Sequence, residues 1–312
     1  MAETMTVRIR DIWGQPREVE LTDTGEFTTP GSILEQRLVQ TAKPAMLIRK
    51  YVSRIAGQRN PRLYELLDHE IRAGTRLGQV YGGVCPPELP TLVGYDMDAE
   101  EPFALLLPYE GEPVVNHLSR LQSDDALRRT FQASLIRGLH RAGRAGVVHG
   151  AVLPRHVRWD GARVQLVDFE TARCADLRRP GGAASPRLDV REDLAGAGMI
   201  IRHLTIGTSA IGSLADHARD PESLRALLEG VFAPVDQRPH AVELLRRMGA
   251  DASLPETTDP ERDLHAGWAL FDSTTAPRTG PPPPPTGSAR KFSRWLGLLM
   301  LATLTFRGGP RR

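Results

Sequence analysis

Two short segments carry most of the residues able to do chemistry. Val147–Val148–His149–Gly150–Ala151–Val152–Leu153–Pro154–Arg155–His156–Val157 holds two imidazoles, and Leu166–Val167–Asp168–Phe169–Glu170 holds two carboxylates around a phenylalanine. Carboxylates suit hard cations such as magnesium, whereas imidazoles suit softer metals. Ala151, between the histidines, offers only a methyl group, which can neither accept a proton nor orient a nucleophile. Upstream, Arg49 and Lys50 lie side by side in the dense apolar run from Ala45 to Val52, and Glu70 lies in His69–Glu70–Ile71–Arg72. If that run is a strand, its pleat turns Arg49 and Lys50 to opposite faces, and the sequence leaves the choice between them open. Glu70 also admits the plain reading of a solvated helix charge. Cys85 and Cys174 share no motif spacing, so neither a disulfide framework nor a zinc site is indicated, and both read as small buried or half-buried residues.

These residues need elements to hold them. Val7, Ile9 and Ile12, the Gly14–Gln15–Pro16 turn and Val19–Glu20–Leu21 predict short strands over roughly residues 5–52. From Pro61 to Val80 the apolar residues Leu63, Leu66, Leu67, Ile71 and Leu77 recur at helical spacing. Two more strands are predicted at Thr91–Gly94 and Phe103–Leu107. Leu127, Phe131, Leu135 and Leu139 draw one apolar stripe on a helix ending near Gly143 or Gly146. Val157–Trp159 and Val164–Val167 flank Asp160–Gly161, a dipeptide favoured in tight hairpins. Helices should follow at about 193–205, 221–231 and 239–248. A strand-rich first third and a helix-rich remainder suggest an α+β chain with two lobes, joined near about residues 108–113.

The two chemical segments resemble the catalytic loop and metal-binding motif of protein kinases and their aminoglycoside-kinase-like relatives. His149, Pro154 and Asp168–Phe169 match that pattern, as does the helix ending Leu139–His140–Arg141–Ala142–Gly143–Arg144–Ala145–Gly146. Asp193 to Gly198 resembles the family's Asp-x-x-x-x-Gly helix, whose aspartate braces the catalytic loop by accepting backbone N–H bonds. Gln237–Arg238–Pro239 with Glu243–Leu244–Leu245 resembles the motif that closes the family's helical lobe. Lys50 stands where the family has its phosphate-contacting lysine, and Glu70 where it has the helix glutamate that pairs with it. Leu105 to Gly111, including Leu107 and Tyr109, resembles the hinge that hydrogen-bonds adenine. Ala184–Ser185–Pro186 looks like a remnant of Ala-Pro-Glu, with Arg187 in place of the glutamate, so the family's ion pair to Arg238 would be lost.

The departures fall on the chemistry. Ala151 occupies the catalytic aspartate's position, His156 that of the asparagine holding the second magnesium, and Glu170 that of the glycine after Asp-Phe. Losing a positioned general base alone costs roughly a hundred- to ten-thousand-fold in rate. No Gly-x-Gly-x-x-Gly precedes Lys50; Gly25 and Gly31 are lone glycines. The resemblance runs from about residue 20 to residue 249.

The resemblance therefore implies a pseudokinase of two-lobed protein-kinase-like fold. Its parts would be an N-terminal strand extension (1–20), a small strand-rich N-lobe (21–110), a helical C-lobe (111–250), a disordered Pro-rich linker (251–290) and a short apolar tail flanked by basic residues (291–312). Catalytic positions Ala151 and His156 are degenerate. Lys50, Glu70, Leu107, Tyr109 and Asp168 would contact a nucleotide, with Asp168 also the metal ligand, while His149, Pro154, Phe169, Asp193 and Arg238 would be structural. ATP with magnesium is the implied cofactor, bound weakly or not at all. The implied role is a regulatory or scaffolding module for a protein partner. Two alternatives stay open: an atypical ATP-dependent phospho- or nucleotidyl-transferase using Asp160, Glu170 or His156 as base, and a membrane-tethered adaptor.

Composition narrows the classes further. Charged residues make up 25% and apolar ones 40%, ordinary for a globular chain, and a net charge of +2 carries no nucleic-acid signature. The opening Met1–Ala2–Glu3–Thr4 lacks the basic-then-apolar pattern of a signal peptide, so a cytoplasmic location is expected, with peripheral attachment at the inner membrane face as an extension of it. Trp295 to Phe306 carries no charge and is flanked by Arg290, Lys291, Arg294 and Arg307. As a helix it would cover about 18 Å against a hydrocarbon core of about 30 Å, so it reads either as a membrane-surface segment or as a disordered tail that docks on a partner. The Pro281–Pro285 run would give it reach, or serve as a polyproline ligand.

Overall fold

A computed structural model describes residues 4–41, 45–83, 85–175, 188–207 and 214–250, and all of these belong to one compact unit. Four strands open the chain: β1 (Thr4–Arg10), β2 (Pro16–Glu26), β3 (Glu35–Thr41) and β4 (Met46–Tyr51). Helices α1 (Arg54–Arg59) and α2 (Arg62–Val80) follow, then β5 (Leu92–Asp96) and β6 (Phe103–Leu106). These six strands pair antiparallel in the order β1-β2-β3-β4-β6-β5 and close into a barrel through Arg10 opposite Tyr95.

The period of two along each strand divides the apolar residues between two cores. Ile9, Leu21, Val39, Leu47, Tyr51, Phe103 and Leu105 form one cluster. Ile48, Val52, Ala104 and Leu106 turn the other way and meet Leu63, Leu67 and Ile71 of α2. Lys50, between Ile48 and Val52, shares that second face. Arg49 takes the first, where its guanidinium lies 4.9 Å from the ring centroids of both Tyr51 and Phe103. The pleat thus settles which of the two basic residues faces α2.

The remaining strands are short: β7 (Glu112–Pro113), β8 (Val147–Val148), β9 (Val157–Trp159), β10 (Val164–Leu166) and β11 (Arg173–Cys174). Among them run α3 (Leu118–Ser123) and α4 (Asp125–Arg144); α5 (Leu194–Ile206), α6 (Glu222–Leu227) and α7 (Ala241–Arg247) come last. Asp124 caps α4, accepting from the N–H groups of Ala126 (3.0 Å) and Leu127 (2.9 Å). The stripe Phe131, Leu135 and Leu139 then packs into the largest core with Trp159, Leu166, Ile201, Leu228 and Leu244. The β9–β10 hairpin turns at Asp160–Gly161, whose carboxylate accepts from the N–H groups of Ala162 and Arg163.

The two-lobed protein-kinase-like fold expected from the motifs is overturned. In its place the strand-rich region is a closed six-stranded barrel within a single compact unit. The physical reason lies in residues 4–26. They form a long β1–β2 hairpin, and β1 comes round to β5 to shut the sheet. Motif matching follows the residues of a site and carries no information on that pairing. The Pro-rich and apolar tail (251–312) and the Ala184–Arg187 segment lie outside the described residues. Among the described residues, no helix is long and apolar enough to cross a membrane.

Candidate functional site

Lys50 is wholly buried, and its ammonium meets three carboxylates: Asp168 Oδ1 at 2.7 Å, Glu70 Oε2 at 3.2 Å and Glu170 Oε1 at 3.3 Å. The partners come from two places in the chain. Lys50 is supplied by β4 and Glu70 by α2, while Asp168 and Glu170 flank Phe169 just after β10. Asp168 takes a left-handed backbone conformation (φ 62°), the one positive φ outside glycine among the described residues. Aspartate tolerates that region at a cost of about 1 kcal/mol, and the conformation leaves its carboxylate on Lys50.

One cation among three buried carboxylates sets the electrostatics. Burial pushes the Glu70 carboxyl up, Lys50 pulls it down, and Glu170 and Asp168 push it up again, for a value of about 7. Asp168 ends below its ordinary range: burial raises it, but the charge and hydrogen bond of Lys50 and the hydroxyl of Thr29 outweigh that. For Lys50 itself burial works against the charged form, yet Asp168, Glu70, Tyr109 and Glu170 together hold its pKa well above normal. Two oxygens of the cluster, Glu70 Oε1 and Asp168 Oδ2, are buried without a hydrogen-bond partner.

The segment between β2 and β3 lies over this cluster as a strap. The Thr29 hydroxyl donates to Asp168 Oδ1 at 2.8 Å, and Thr29 itself is held by Gln36, which pairs with Lys50 across β3 and β4. The Ser32 hydroxyl donates to Glu170 Oε1, and the Ile33 N–H donates to Glu170 Oε2 at 2.8 Å. Gly31 fits between them because it lacks a side chain. A Cβ there would sit 1.9 Å from His156 Cδ2 and 3.1 Å from Asp168 Oδ2. Phe27, at the head of the strap, meets the ring of Tyr109 at a centroid distance of 6.2 Å, and Lys50 Nζ lies 5.9 Å from the Tyr109 centroid.

The second chemical segment sits beside this cluster. His149 is fully buried. Its Nε2–H donates to the Val167 carbonyl at 2.9 Å, and its ring lies against Phe169 (4.5 Å) and His156 (5.5 Å). Burial, with help from His156, lowers its pKa to about 4, so the ring is neutral near pH 7. Asp193 accepts the N–H of His149 at 2.6 Å and that of Gly150 at 2.9 Å. Burial raises the Asp193 carboxyl to about 6, with the two backbone bonds opposing it. Pro154 starts a short 3-10 turn that carries His156, whose Nδ1–H donates to the Ala151 carbonyl at 2.5 Å.

The residues singled out by sequence divide into three groups. Lys50, Glu70 and Asp168 are brought together, with Tyr109 beside them; His149, Pro154, His156, Phe169 and Asp193 form the adjoining loop. Leu107 stays apart, 41% exposed, with its N–H bonded to the Thr91 carbonyl at 3.0 Å. Arg238 spends its donors on the carbonyls of Ala233, Glu192 and Arg191. The strap residues Thr29 and Ser32, and Gln36 of β3, were missed, and Gly31 was read only as a lone glycine. The strap residues carry one signal, the Thr-Thr-Pro-Gly-Ser run of turn-forming types, and Gln36 lies outside it.

ATP with magnesium does not fit this arrangement. Every donor on Lys50 is taken by a carboxylate, and the strap fills the space over Asp168. Among the described residues, no group of three or more His, Cys, Asp and Glu is placed to hold a metal ion. No protein-family model matches the chain, and no curated protein matches its sequence.

Proposed function

We propose that this chain is a kinase-related binding module that no longer transfers phosphoryl groups, and that it regulates or scaffolds a protein partner. The observation that carries the reading is the pairing of Ala151, a methyl group at the position that should hold the catalytic base, with a Lys50 already saturated by the chain's own carboxylates. The side chains that would bind phosphate and metal are engaged internally, so the inherited reaction lacks both its base and its nucleotide seat. The Asp193 brace supports the same reading: the scaffold of the loop is kept while its chemistry is gone. ATP enters this scheme only as a weak competitor for a site the chain fills itself.

The test is a thermal-shift titration of the full chain with ATP, with and without magnesium or manganese, beside Lys50→Ala and Asp168→Ala and followed by a transferase assay. A ligand that binds only the native state raises its stability with concentration, so no shift up to about 1 mM nucleotide is the expected result. A metal-dependent shift lost in both variants, together with turnover, would instead establish an atypical transferase.

A further inference from the structure

Glu170 and Asp168 each touch both the buried ammonium and the strap, and Glu170 does so through two strap groups. One of its oxygens takes Lys50 and the Ser32 hydroxyl, and the other takes the Ile33 N–H. Its own carbonyl also accepts from His69 Nδ1 on α2 at 3.1 Å. Thr29 adds a further donor, to Asp168. All three strap groups aimed at the cluster are therefore donors, and all three acceptors are carboxylate oxygens.

We infer that the Lys50 site has become a receptor for hydrogen-bond donors, that its occupant is the chain's own segment 27–34, and that Glu170 is the latch holding that segment shut against a polyphosphate. This rests on the reading above and adds its regulation. Three carboxylates around one lysine repel an anionic phosphate but welcome hydroxyl and amide donors. Bonds to a charged acceptor are stronger than neutral ones, and Glu170 takes two of the three such bonds from the strap, so it carries the larger share of the hold. Asp168 Oδ2, buried and unpartnered, lies 3.1 Å from where a Cβ at Gly31 would sit, so lifting the strap would uncover an oxygen with a free lone pair. Opening thus exposes a lysine and a carboxylate together, and a residue at position 170 without a carboxylate shifts the balance toward the open form.

The experiment compares the full wild-type chain with Glu170→Gly and Ser32→Ala, reading hydrogen exchange at the Ile33 amide and titration with a fluorescent ATP analogue in magnesium. Losing the charge-assisted bonds in Glu170→Gly should speed Ile33 exchange about tenfold or more while barrel amides such as Ile48 are unchanged. The same variant should bind the analogue about tenfold more tightly than wild type, and Ser32→Ala should move both readings the same way by a smaller factor. Should Glu170→Gly fail to fold, Ser32→Ala still decides, because it leaves the cluster's charges in place. Unchanged Ile33 exchange in a folded variant would overturn the latch. Faster exchange with no gain in binding would overturn the competition between strap and nucleotide. Turnover of ATP by the wild-type chain would sink the proposed function instead, leaving the latch to be judged by exchange alone.

Discussion

Asp193 and Lys50 are both buried charges from the same motif set, and they are satisfied in opposite ways. Asp193 stands alone and accepts two backbone N–H groups, which cannot move without moving the loop. Lys50 is shared by three carboxylates from two distant segments, α2 and the turn after β10, with two carboxylate oxygens left unpartnered. Backbone donors are present in any sequence, so a brace built on them persists when neighbouring side chains change. A site built from side-chain charges does not have that protection. Glu170 adds a third carboxylate to the lysine's surroundings, and the site is a carboxylate cluster.

The largest effect that could break this comparison is Lys50→Ala. Removing the cation strands three buried carboxylates, and a loss of about 3–5 kcal/mol in urea unfolding at neutral pH is expected. The loss should shrink on acidification, as the stranded carboxylates take up protons. Equal loss at pH 5 and pH 7 would mean the cluster is already neutral. Asp193→Asn should cost less, about 1–3 kcal/mol, because one amide oxygen replaces one of two acceptors for the His149 and Gly150 N–H groups. A null effect on the unfolding midpoint would show that water reaches those donors.

The smallest effect concerns pH. Glu70 rises from an ordinary 4.5 to about 7, and Asp193 from 3.8 to about 6. A raised carboxyl binds its proton more tightly in the folded state. Its stabilisation is complete below the ordinary value and is lost as pH climbs through the folded value. Stability should therefore fall between about pH 4.5 and 7, and Glu70→Gln should flatten that slope. Asp168 acts in the opposite sense, its contribution disappearing as pH falls through its depressed range. A Glu70→Gln chain whose unfolding midpoint keeps the wild-type pH profile would refute this assignment.

What could be read in advance follows from the range of the interactions involved. The α2 and α4 stripes, the β4 run and the Asp160–Gly161 hairpin are written in local spacing, and each element is found where its pattern puts it. The gathering of Lys50, Glu70 and Asp168 followed from ordered motifs. Barrel closure did not, because nothing near Arg10 announces Tyr95 as its partner. The choice between Arg49 and Lys50 depended on strand pleat, a property of pairing. The strap was hidden for another reason: Thr29 and Ser32 are ordinary turn residues until Glu170, far along the chain, gives their hydroxyls an acceptor.

The barrel's closure has a mechanical consequence. β1 is laced to β2 by seven residue pairs but meets β5 at Arg10 alone, so the wall has a seam that is nearly unstitched. A pull on the N-terminus, or a thermal fluctuation, parts that seam first and swings the β1–β2 hairpin outward as one flap while the remaining strands stay joined. The closed cylinder thus unwraps like a scroll from a fixed edge, and the residues in front of the strap are the first to let go.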